Sequence, residues 1–242
     1  MFRGLDRGML DLLHVFGDSA GDGLDGSTQQ VGFSRILGDK RQKICSTVGG
    51  PDMNAPPKSS WLLTVEEYLA FEEHSDVRHE YVGGEIHALA GAWVRHGQII
   101  TNISGQLWSR LRGGECRTLT NDVKLQTAAD LIYYPDVMVT CDPDDNDPLI
   151  ITRPIFVVEV LSPHTANTDR REKMVEYRKL PSLLCYLVVY QDERRVERHW
   201  RDATGDPWEL DMVVENAVKI PGLGVTLALD DIYEGVDLEA GA

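Results

Sequence analysis

The second half of the chain alternates short apolar segments with one charged helical segment, and this alternation constrains the fold more than any other feature. The apolar segments are rich in Val, Ile, Leu and Tyr and are bounded by turn-forming residues, which is typical of β-strands. The predicted strands are 117–126, 132–140, 155–161, 184–190 and 195–201, followed by terminal strands at 208–215 and 218–227, with a helix at 169–180. We therefore expect one α/β domain with a mixed β-sheet.

The segments that precede these strands predict two helices and a hairpin. Thr64, followed by Glu66 and Glu67, is a typical N-terminal cap for a helix over 64–73. The segment 78–90 predicts a hairpin that turns at Gly83 and Gly84. A longer amphipathic helix is expected over 93–111, where the paired glycines that follow it mark its end. Helices should therefore flank the sheet.

Residues 1–58 differ from the rest of the chain in composition. Glycines and aspartates crowd the first half of this segment, prolines close it, and no helical or strand period survives across it. We expect a poorly ordered N-terminal extension over 1–58 and the folded domain over 59–242. An alternative is that Met53 is the true start of the protein, which would make the upstream residues the product of a misassigned start codon.

Charge and hydropathy exclude several classes of protein. The longest unbroken apolar run, 183–190, is far shorter than the ~20 residues that span a bilayer. The first 20 residues lack the continuous apolar region of a secretory signal, so a cytoplasmic location is expected. The 4 cysteines contain no C-x-x-C pair, which favours free thiols over a zinc site or a disulfide framework.

The net charge bears on any interaction with nucleic acid. The 24 Lys and Arg residues against 39 Asp and Glu residues give a net charge of -15, and such a field repels phosphate backbones. Binding to nucleic acid would therefore require a local basic patch. Candidates are the basic residues of the helix at 169–180 and those that flank the helix at 93–111: Arg170, Arg171, Lys173, Arg178 and Lys179, with Arg95, Arg110, Arg112 and Arg117.

Two carboxylates lie inside segments that are otherwise apolar. Asp136 follows Pro135 in YYPDVMVT, and Glu159 lies within IFVVEVLS. An ionised carboxylate buried in such a strand costs several kcal/mol unless it is paired or binds a cation. A single acid of this kind is usually satisfied by an arginine or by backbone N–H groups. Two such acids in successive strands favour a site for a hard divalent cation, which prefers converging oxygen ligands.

The helix after Glu159 contributes a candidate lysine. Asp169, Lys173 and Tyr177 are spaced four residues apart and share one helix face, and Asp169 with Glu172 can form a capping box. If the helix packs back over the sheet, Lys173 approaches the strand end that carries Glu159. The alternative is that Lys173 is a solvated lysine on an amphipathic helix.

These motifs together resemble the Uma-two family of restriction-endonuclease-like proteins, which belongs to the PD-(D/E)XK nuclease superfamily. The resemblance rests on Pro135-Asp136, on Glu159 in VVEVLSP, and on the D-x-x-x-K-x-x-x-Y pattern that starts at Asp169. HEYVGGEI and the segment that begins at His96 agree with the corresponding family blocks. The resemblance covers roughly residues 64–233 and implies a restriction-endonuclease-like fold, a mixed β-sheet core flanked by helices.

The resemblance also implies roles for individual residues. Asp136 and Glu159 would hold Mg²⁺ or Mn²⁺ with help from the Val160 carbonyl, and a metal-activated water would attack phosphorus. The sequence departs from the superfamily motif at Leu161, which stands where the motif has its lysine. Lys173 is the first substitute and Lys124 the second.

Glu80 is expected as a further acid of the site, either as a second metal ligand or as a group that positions water, and the alternative is a surface glutamate of the hairpin. Three further residues, His96, Tyr177 and Gln126, either line the cleft or pack in the core. No zinc-binding histidine spacing, serine-hydrolase motif or phosphate-binding glycine loop is present.

The function expected from this reading is a divalent-metal-dependent endonuclease that hydrolyses DNA phosphodiester bonds, with Asp136, Glu159, Lys173 and Glu80 in the site. RNA cleavage and exonuclease activity remain open. The alternative is an inactive nuclease-fold module that binds nucleic acid or a protein partner, motivated by Leu161 and by the acidic charge. A homodimer is also open, because nucleases that cut both strands often pair two active sites.

Overall fold

A computed structural model describes residues 62–161, 169–205 and 207–238, with the side chains of 169–171 left out. The predictions made for 1–58 and for Met53 lie outside the described residues, as does the capping role of the Asp169 side chain.

The described residues form four helices, α1 (Val65–Glu72), α2 (Val94–Leu111), α3 (Asp169–Lys179) and α4 (Leu229–Ile232). The first three were expected, and the short α4 was not. The predicted cap of α1 is confirmed as a capping box, in which the Glu67 N–H donates to Thr64 Oγ1 (3.2 Å) and the Thr64 N–H donates to Glu67 Oε2 (3.0 Å). After α2 the chain leaves the helix through Gly113 at φ 81°. No helix in the described ranges is long and apolar enough to cross a membrane.

The strands pair into two larger sheets and one hairpin. They are β1 (His79–Val82), β2 (Glu85–Ala88), β3 (Arg117–Thr120), β4 (Lys124–Ala128), β5 (Leu131–Tyr133), β6 (Val137–Thr140), β7 (Ile150–Ile151), β8 (Phe156–Leu161), β9 (Cys185–Tyr190), β10 (Val196–Trp200), β11 (Glu209–Val213), β12 (Ala217–Ile220) and β13 (Val225–Ala228). The five-stranded sheet has the order β2-β1-β5-β4-β7, and the six-stranded sheet has the order β11-β10-β9-β8-β6-β3. Strands β8 and β9, on either side of α3, are parallel. The expected mixed α/β architecture is therefore confirmed.

Three segments that were predicted as single strands are each divided into two. The segment 117–126 turns after Thr120, so β3 and β4 lie in different sheets. The segment 132–140 breaks around Pro135, which has no N–H to donate, and β5 and β6 also lie in different sheets. The segment 218–227 folds into the β12–β13 hairpin, whose turn contains Gly222 at φ 78°. A period-2 pattern continues across such breaks, because the residues on both sides remain apolar and alternate.

The six-stranded sheet is packed on both faces, and the alternation along β8 shows how. Val158 and Val160 face the core that contains α2, the β12–β13 hairpin and α4. Val157 and Leu161 face the opposite core, which contains α3. Because successive side chains of a strand point to opposite faces, Glu159 lies on the α3 face. Helix α3 therefore covers the sheet where its charged side chain projects.

One cysteine prediction is wrong. Cys116 and Cys141 form a disulfide with a Cα–Cα distance of 4.0 Å, whereas Cys185 is a buried free thiol. Arg117 and Thr140 form the end pair of the β3–β6 register, and Cys116 and Cys141 lie one position beyond that pair, so they face each other across the antiparallel strands. Their separation of 25 residues contains no motif that signals this pairing.

Candidate active site

A cavity of about 250 Å³ opens where the ends of β1, β6 and β8 meet the start of α2 and the face of α3. Its polar lining contains three carboxylates, one lysine and one histidine: Glu80, Asp136, Glu159, Lys173 and His96. The remaining lining residues are Arg78, Leu89, Ala90, Gly91, Ala92, Trp93, Asn121, Tyr134, Val160, Leu161 and Tyr186. Five segments distant in sequence thus supply the three carboxylates, the lysine and the histidine of one cavity.

The β6–β8 pairing brings Asp136 and Glu159 together. Val137 pairs with Val158, so Asp136, one residue before β6, stands opposite Glu159 in this antiparallel register. The Val160 N–H donates a hydrogen bond of 2.7 Å to Asp136 Oδ2 and so fixes that carboxylate against β8. Strand β5 ends at Tyr133, and the break at Pro135 places Asp136 directly before the start of β6 in the six-stranded sheet.

Helix α3 supplies two side chains to Glu159. The Tyr177 hydroxyl donates to Glu159 Oε1 at 2.7 Å, and Lys173 Nζ lies 3.8 Å from the same oxygen. Lys173 Nζ also donates a hydrogen bond of 2.5 Å to Glu80 Oε1. The i, i+4 spacing of the lysine and the tyrosine puts both on the helix face that covers the sheet. The ammonium therefore lies between two carboxylates.

Burial sets the protonation of this cluster. Desolvation raises the pKa of Glu159 from 4.5 to about 7; Lys173 opposes the rise, whereas the charges of Asp136 and Glu80 add to it. Burial would lower the pKa of Lys173, but the charges of Glu159 and Glu80 outweigh it, and the pKa is raised above its usual range. Both shifts have one cause: more carboxylates than cations converge in a poorly solvated space.

His96, in the first turn of α2, lies against the same aspartate. Its Nε2 is 3.4 Å from Asp136 Oδ2, and its side chain is largely buried, with 12% of it exposed. Burial alone would lower the pKa of His96, but the hydrogen bond to Asp136 and the charge of that carboxylate outweigh burial and raise it. The histidine thus adds positive charge beside Asp136 when it is protonated.

The segments that carry Glu80 and Asp136 are both hydrogen-bonded to the buried side chain of Glu72. The Tyr134 N–H lies 3.4 Å from Glu80 Oε1, and the Tyr134 hydroxyl donates to Glu72 Oε1 at 2.8 Å. Glu72 Oε1 also accepts the His79 N–H at 2.8 Å, and Glu72 Oε2 lies 3.0 Å from His79 Nδ1. One carboxylate of α1 therefore binds the residue before Glu80 and the residue before the Pro135-Asp136 pair.

The structure separates the candidates that the sequence had left open. Lys173 lies in the cavity, whereas Lys124 Nζ lies 5.4 Å from the centre of the Tyr134 ring and is not among the lining residues. Leu161 forms part of the cavity wall. Gln126 lines a different cavity, together with Asp144, Asp145 and Asp147.

The predicted basic patch is largely engaged in other contacts. Arg95 pairs with Asp192 at 2.5 Å, Lys179 pairs with Glu176 at 2.6 Å, and Arg178 lies over the Trp208 ring. Among the described residues that line the cavity, the lysine and arginine side chains are those of Lys173 and Arg78. Arg170 and Arg171 lie outside the described side chains.

The lining residues that the sequence reading missed include Arg78, Trp93 and Tyr134. Each is adjacent to, or within three residues of, a predicted site residue or a motif that contains one. Tyr134 precedes Pro135-Asp136, and Trp93 lies three residues before His96. This proximity was the available signal, but it does not tell which side chains face the cavity.

The donor set suits a hard divalent cation in part. The contacts described above use Asp136 Oδ2 and Glu159 Oε1, so the second oxygen of each carboxylate is engaged in none of them. No group of three or more His, Cys, Asp or Glu side chains among the described residues forms a complete metal-binding set. Mg²⁺ is commonly held by one or two carboxylates, with water and substrate phosphate as its other ligands. The two carboxylates, Asp136 and Glu159, suit that manner of binding.

Comparisons with known proteins agree with the fold and with the motifs. The family described as Uma2, "Putative restriction endonuclease", matches residues 65–230, a range that contains all the charged residues of the cavity. Two uncharacterised Synechocystis proteins, slr1290 and sll1609, are 36% and 34% identical to the chain. The matches cover 72% of the chain and 93% of slr1290, and 64% of the chain and 90% of sll1609.

A solved structure matches the fold. The crystal structure titled "a putative nuclease belonging to DUF820", from Anabaena variabilis, aligns with a TM-score of 0.58 at 17% identity. The alignment covers 71% of this chain and 97% of the Anabaena chain. Taken with the match to the family, these likenesses show that the chain belongs to the Uma2 family of restriction-endonuclease-like proteins.

Proposed function

We propose that the protein is a divalent-metal-dependent endonuclease that hydrolyses DNA phosphodiester bonds. The observation that carries the proposal is the convergence of Asp136, Glu159 and Lys173, with Glu80, in one cavity of a chain that belongs to the Uma2 family. A pair of carboxylates can hold the divalent cation used in metal-assisted attack on phosphorus, and a buried ammonium can neutralise charge on the phosphate. The raised pKa of Glu159 supports it, because a carboxylate that lacks enough counter-charge favours a bound cation.

Each residue has a distinct task in this proposal. Asp136 and Glu159, with the Val160 carbonyl, hold Mg²⁺ or Mn²⁺, which supplies Lewis-acid activation of water and neutralises charge on the phosphate. The Tyr177 hydroxyl fixes Glu159 Oε1 and thereby orients the other oxygen of that carboxylate. The Val160 N–H does the same for Asp136 by binding Oδ2.

Lys173 takes the place of the motif lysine that Leu161 replaces. Its Nζ is held by Glu80 at 2.5 Å and lies 3.8 Å from Glu159, so the ammonium is positioned beside the carboxylate before any substrate binds. In the reaction it donates hydrogen bonds to the scissile phosphate and offsets the charge that develops there. Glu80 positions the lysine by accepting the hydrogen bond that its Nζ donates.

Cleavage assays with matched variants test the proposal. The full-length protein is incubated with supercoiled plasmid, single-stranded DNA and RNA, with Mg²⁺, with Mn²⁺ or with EDTA. Asp136→Asn and Glu159→Gln keep the shape of each side chain and remove its charge, and Lys173→Met removes the ammonium. Glu209→Gln, an exposed position on β11, is the control for removal of a glutamate charge. All four variants are purified in the same way.

We expect metal-dependent cleavage of DNA by the wild type and by Glu209→Gln, and a loss of at least about 100-fold in each site variant. Equal cleavage by all proteins would indicate a contaminating nuclease and refute the assignment of the site. Metal binding without cleavage of any of the three substrates would refute the enzyme and favour an inactive module that binds nucleic acid or a protein partner.

A further inference from the structure

The cavity is lined by an exposed tryptophan, Trp93, as well as by carboxylates. This aromatic ring bears on the kind of DNA that can bind. We propose that the site takes an unpaired nucleotide whose base stacks on Trp93, so that the substrate is single-stranded DNA rather than an intact duplex. This inference rests on the proposed function and adds to it the substrate class and one residue that binds it.

Trp93 lies at the entrance to the site. It is the residue immediately before α2, it lines the cavity, and it is 49% exposed. His96, which contacts Asp136, follows three residues later on the first turn of the same helix. Trp93 therefore offers an exposed aromatic surface beside the charged groups of the cavity. A nucleobase can stack on this surface, because every base presents a flat π-face to an aromatic side chain.

The Trp93 ring is also held in place. The Arg95 guanidinium lies 5.2 Å from the ring centre, and the same arginine pairs with Asp192 at 2.5 Å. The Arg95 side chain is 11% exposed, so this support is largely buried. An aromatic ring that is fixed before binding loses little conformational entropy when a base stacks on it.

The charges around the cavity do not favour binding of the phosphates of a DNA duplex. Proteins that bind duplex DNA neutralise many phosphates with Lys and Arg. Here the chain carries a net charge of -15, and the described lysine and arginine side chains that line the cavity are Lys173 and Arg78. Lys173 is bound to Glu80, and Arg78 pairs with Asp122 at 2.8 Å. The site therefore offers few cations to the phosphates of a duplex, whereas the Trp93 ring offers a stacking contact that only an unpaired base can make.

The same helix provides a matched control. Trp108, near the end of α2, is 59% exposed and also has an arginine over its ring, Arg112 at 5.6 Å. It differs from Trp93 in that it does not line the cavity. Removal of either ring changes surface hydrophobicity to a similar degree, whereas removal of Trp93 alone should affect DNA at the site.

Binding measured without hydrolysis tests the inference. The full-length protein and its variants Trp93→Ala, Trp93→Phe and Trp108→Ala are titrated into a short dye-labelled DNA strand, and into the same strand annealed to its complement. Fluorescence anisotropy is read in EDTA. Thermal melts of all four proteins show whether each variant is folded, and cleavage of both DNAs in Mg²⁺ is measured in parallel.

We expect the single strand to bind more tightly than the duplex, and Trp93→Ala to weaken its binding by about tenfold or more. Trp93→Phe should restore most of the affinity, and Trp108→Ala should leave it unchanged. Equal or tighter binding of the duplex, or equal effects of the two alanine variants, would overturn the inference. Cleavage that is unaffected in Trp93→Ala would overturn it and leave the nuclease proposal standing. Strand binding that depends on Trp93, without cleavage by any protein, would support the stacking site and refute the nuclease.

Discussion

Replacing Glu159 by Gln should stabilise the protein in the absence of metal, although the same change should abolish cleavage. Glu159 lies in a buried strand and its pKa is raised from 4.5 to about 7 by desolvation. A carboxyl that binds its proton more tightly in the folded state than in the unfolded state makes stability fall as the pH rises between these two values. Above about pH 7 the folded protein carries the full cost of the buried charge.

The pKa shift sets the size of the effect. At about 1.4 kcal/mol per pKa unit, it corresponds to a cost on the order of 3 kcal/mol. The attraction of Lys173 is already contained in the pKa of about 7, and local relaxation around a buried charge reduces the cost further. We therefore expect a gain of about 1–3 kcal/mol for Glu159→Gln above pH 7. For a domain of this size, each kcal/mol raises Tm by about 2–4 °C.

Thermal melts in EDTA from about pH 5 to about pH 8.5 measure this difference. The Tm of Glu159→Gln minus that of the wild type should grow through the window between the two pKa values and level off above it. Glu209→Gln, an exposed position, should show no such trend. A difference that stays constant with pH, or a Gln variant less stable than the wild type at the alkaline end, would refute the reasoning. Added Mg²⁺ should raise the Tm of the wild type and not of Glu159→Gln.

Three further predictions concern other parts of the domain. Lys173→Met leaves two buried carboxylates without their shared counter-charge and should lower stability by about 3–5 kcal/mol, measured by urea unfolding near neutral pH. Reduction of Cys116–Cys141, which closes a loop of 25 residues, should cost about 3 kcal/mol; a Tm unchanged by reductant would contradict it. Gly222→Ala should destabilise the domain by about 1–3 kcal/mol, because φ is 78° and an added Cβ would lie 2.7 Å from Leu184 Cδ1; Gly205→Ala, at φ 81° with open space around it, is the control that separates the clash from the backbone cost.

The local pattern of the sequence was enough to predict the elements that depend on neighbouring residues. Helices α1 to α3 and the β1–β2 hairpin follow from apolar periodicity, the Thr64 cap and the turn glycines. Strands β8 and β9 follow from their continuous apolar runs, and these runs made Glu159 conspicuous. A charge inside a Val-rich strand needs a partner, wherever the rest of the chain lies.

Register and sheet assignment could not be predicted in the same way. Segments 117–126 and 132–140 retain strand-like alternation on both sides of each break, so the sequence did not show that each divides between two sheets. The disulfide depends on the pairing of Arg117 with Thr140, which is a long-range contact. The sequence also did not show that Trp93 is exposed, because local periodicity does not tell whether a residue that precedes a helix is packed by a distant segment.

The sequence by itself determined which chemical groups this protein contains and which local elements carry them: two acids in apolar segments, a lysine and a tyrosine four residues apart on one helix, and the family motifs that connect them. The tertiary structure alone decided that Lys173 rather than Lys124 lies beside Glu159, that Glu80 holds it, and that Trp93 borders the same cavity. The physical reason is that periodicity records which face of an element is buried. Distances between side chains on different elements depend on strand register and helix packing, which are set by contacts remote in the chain.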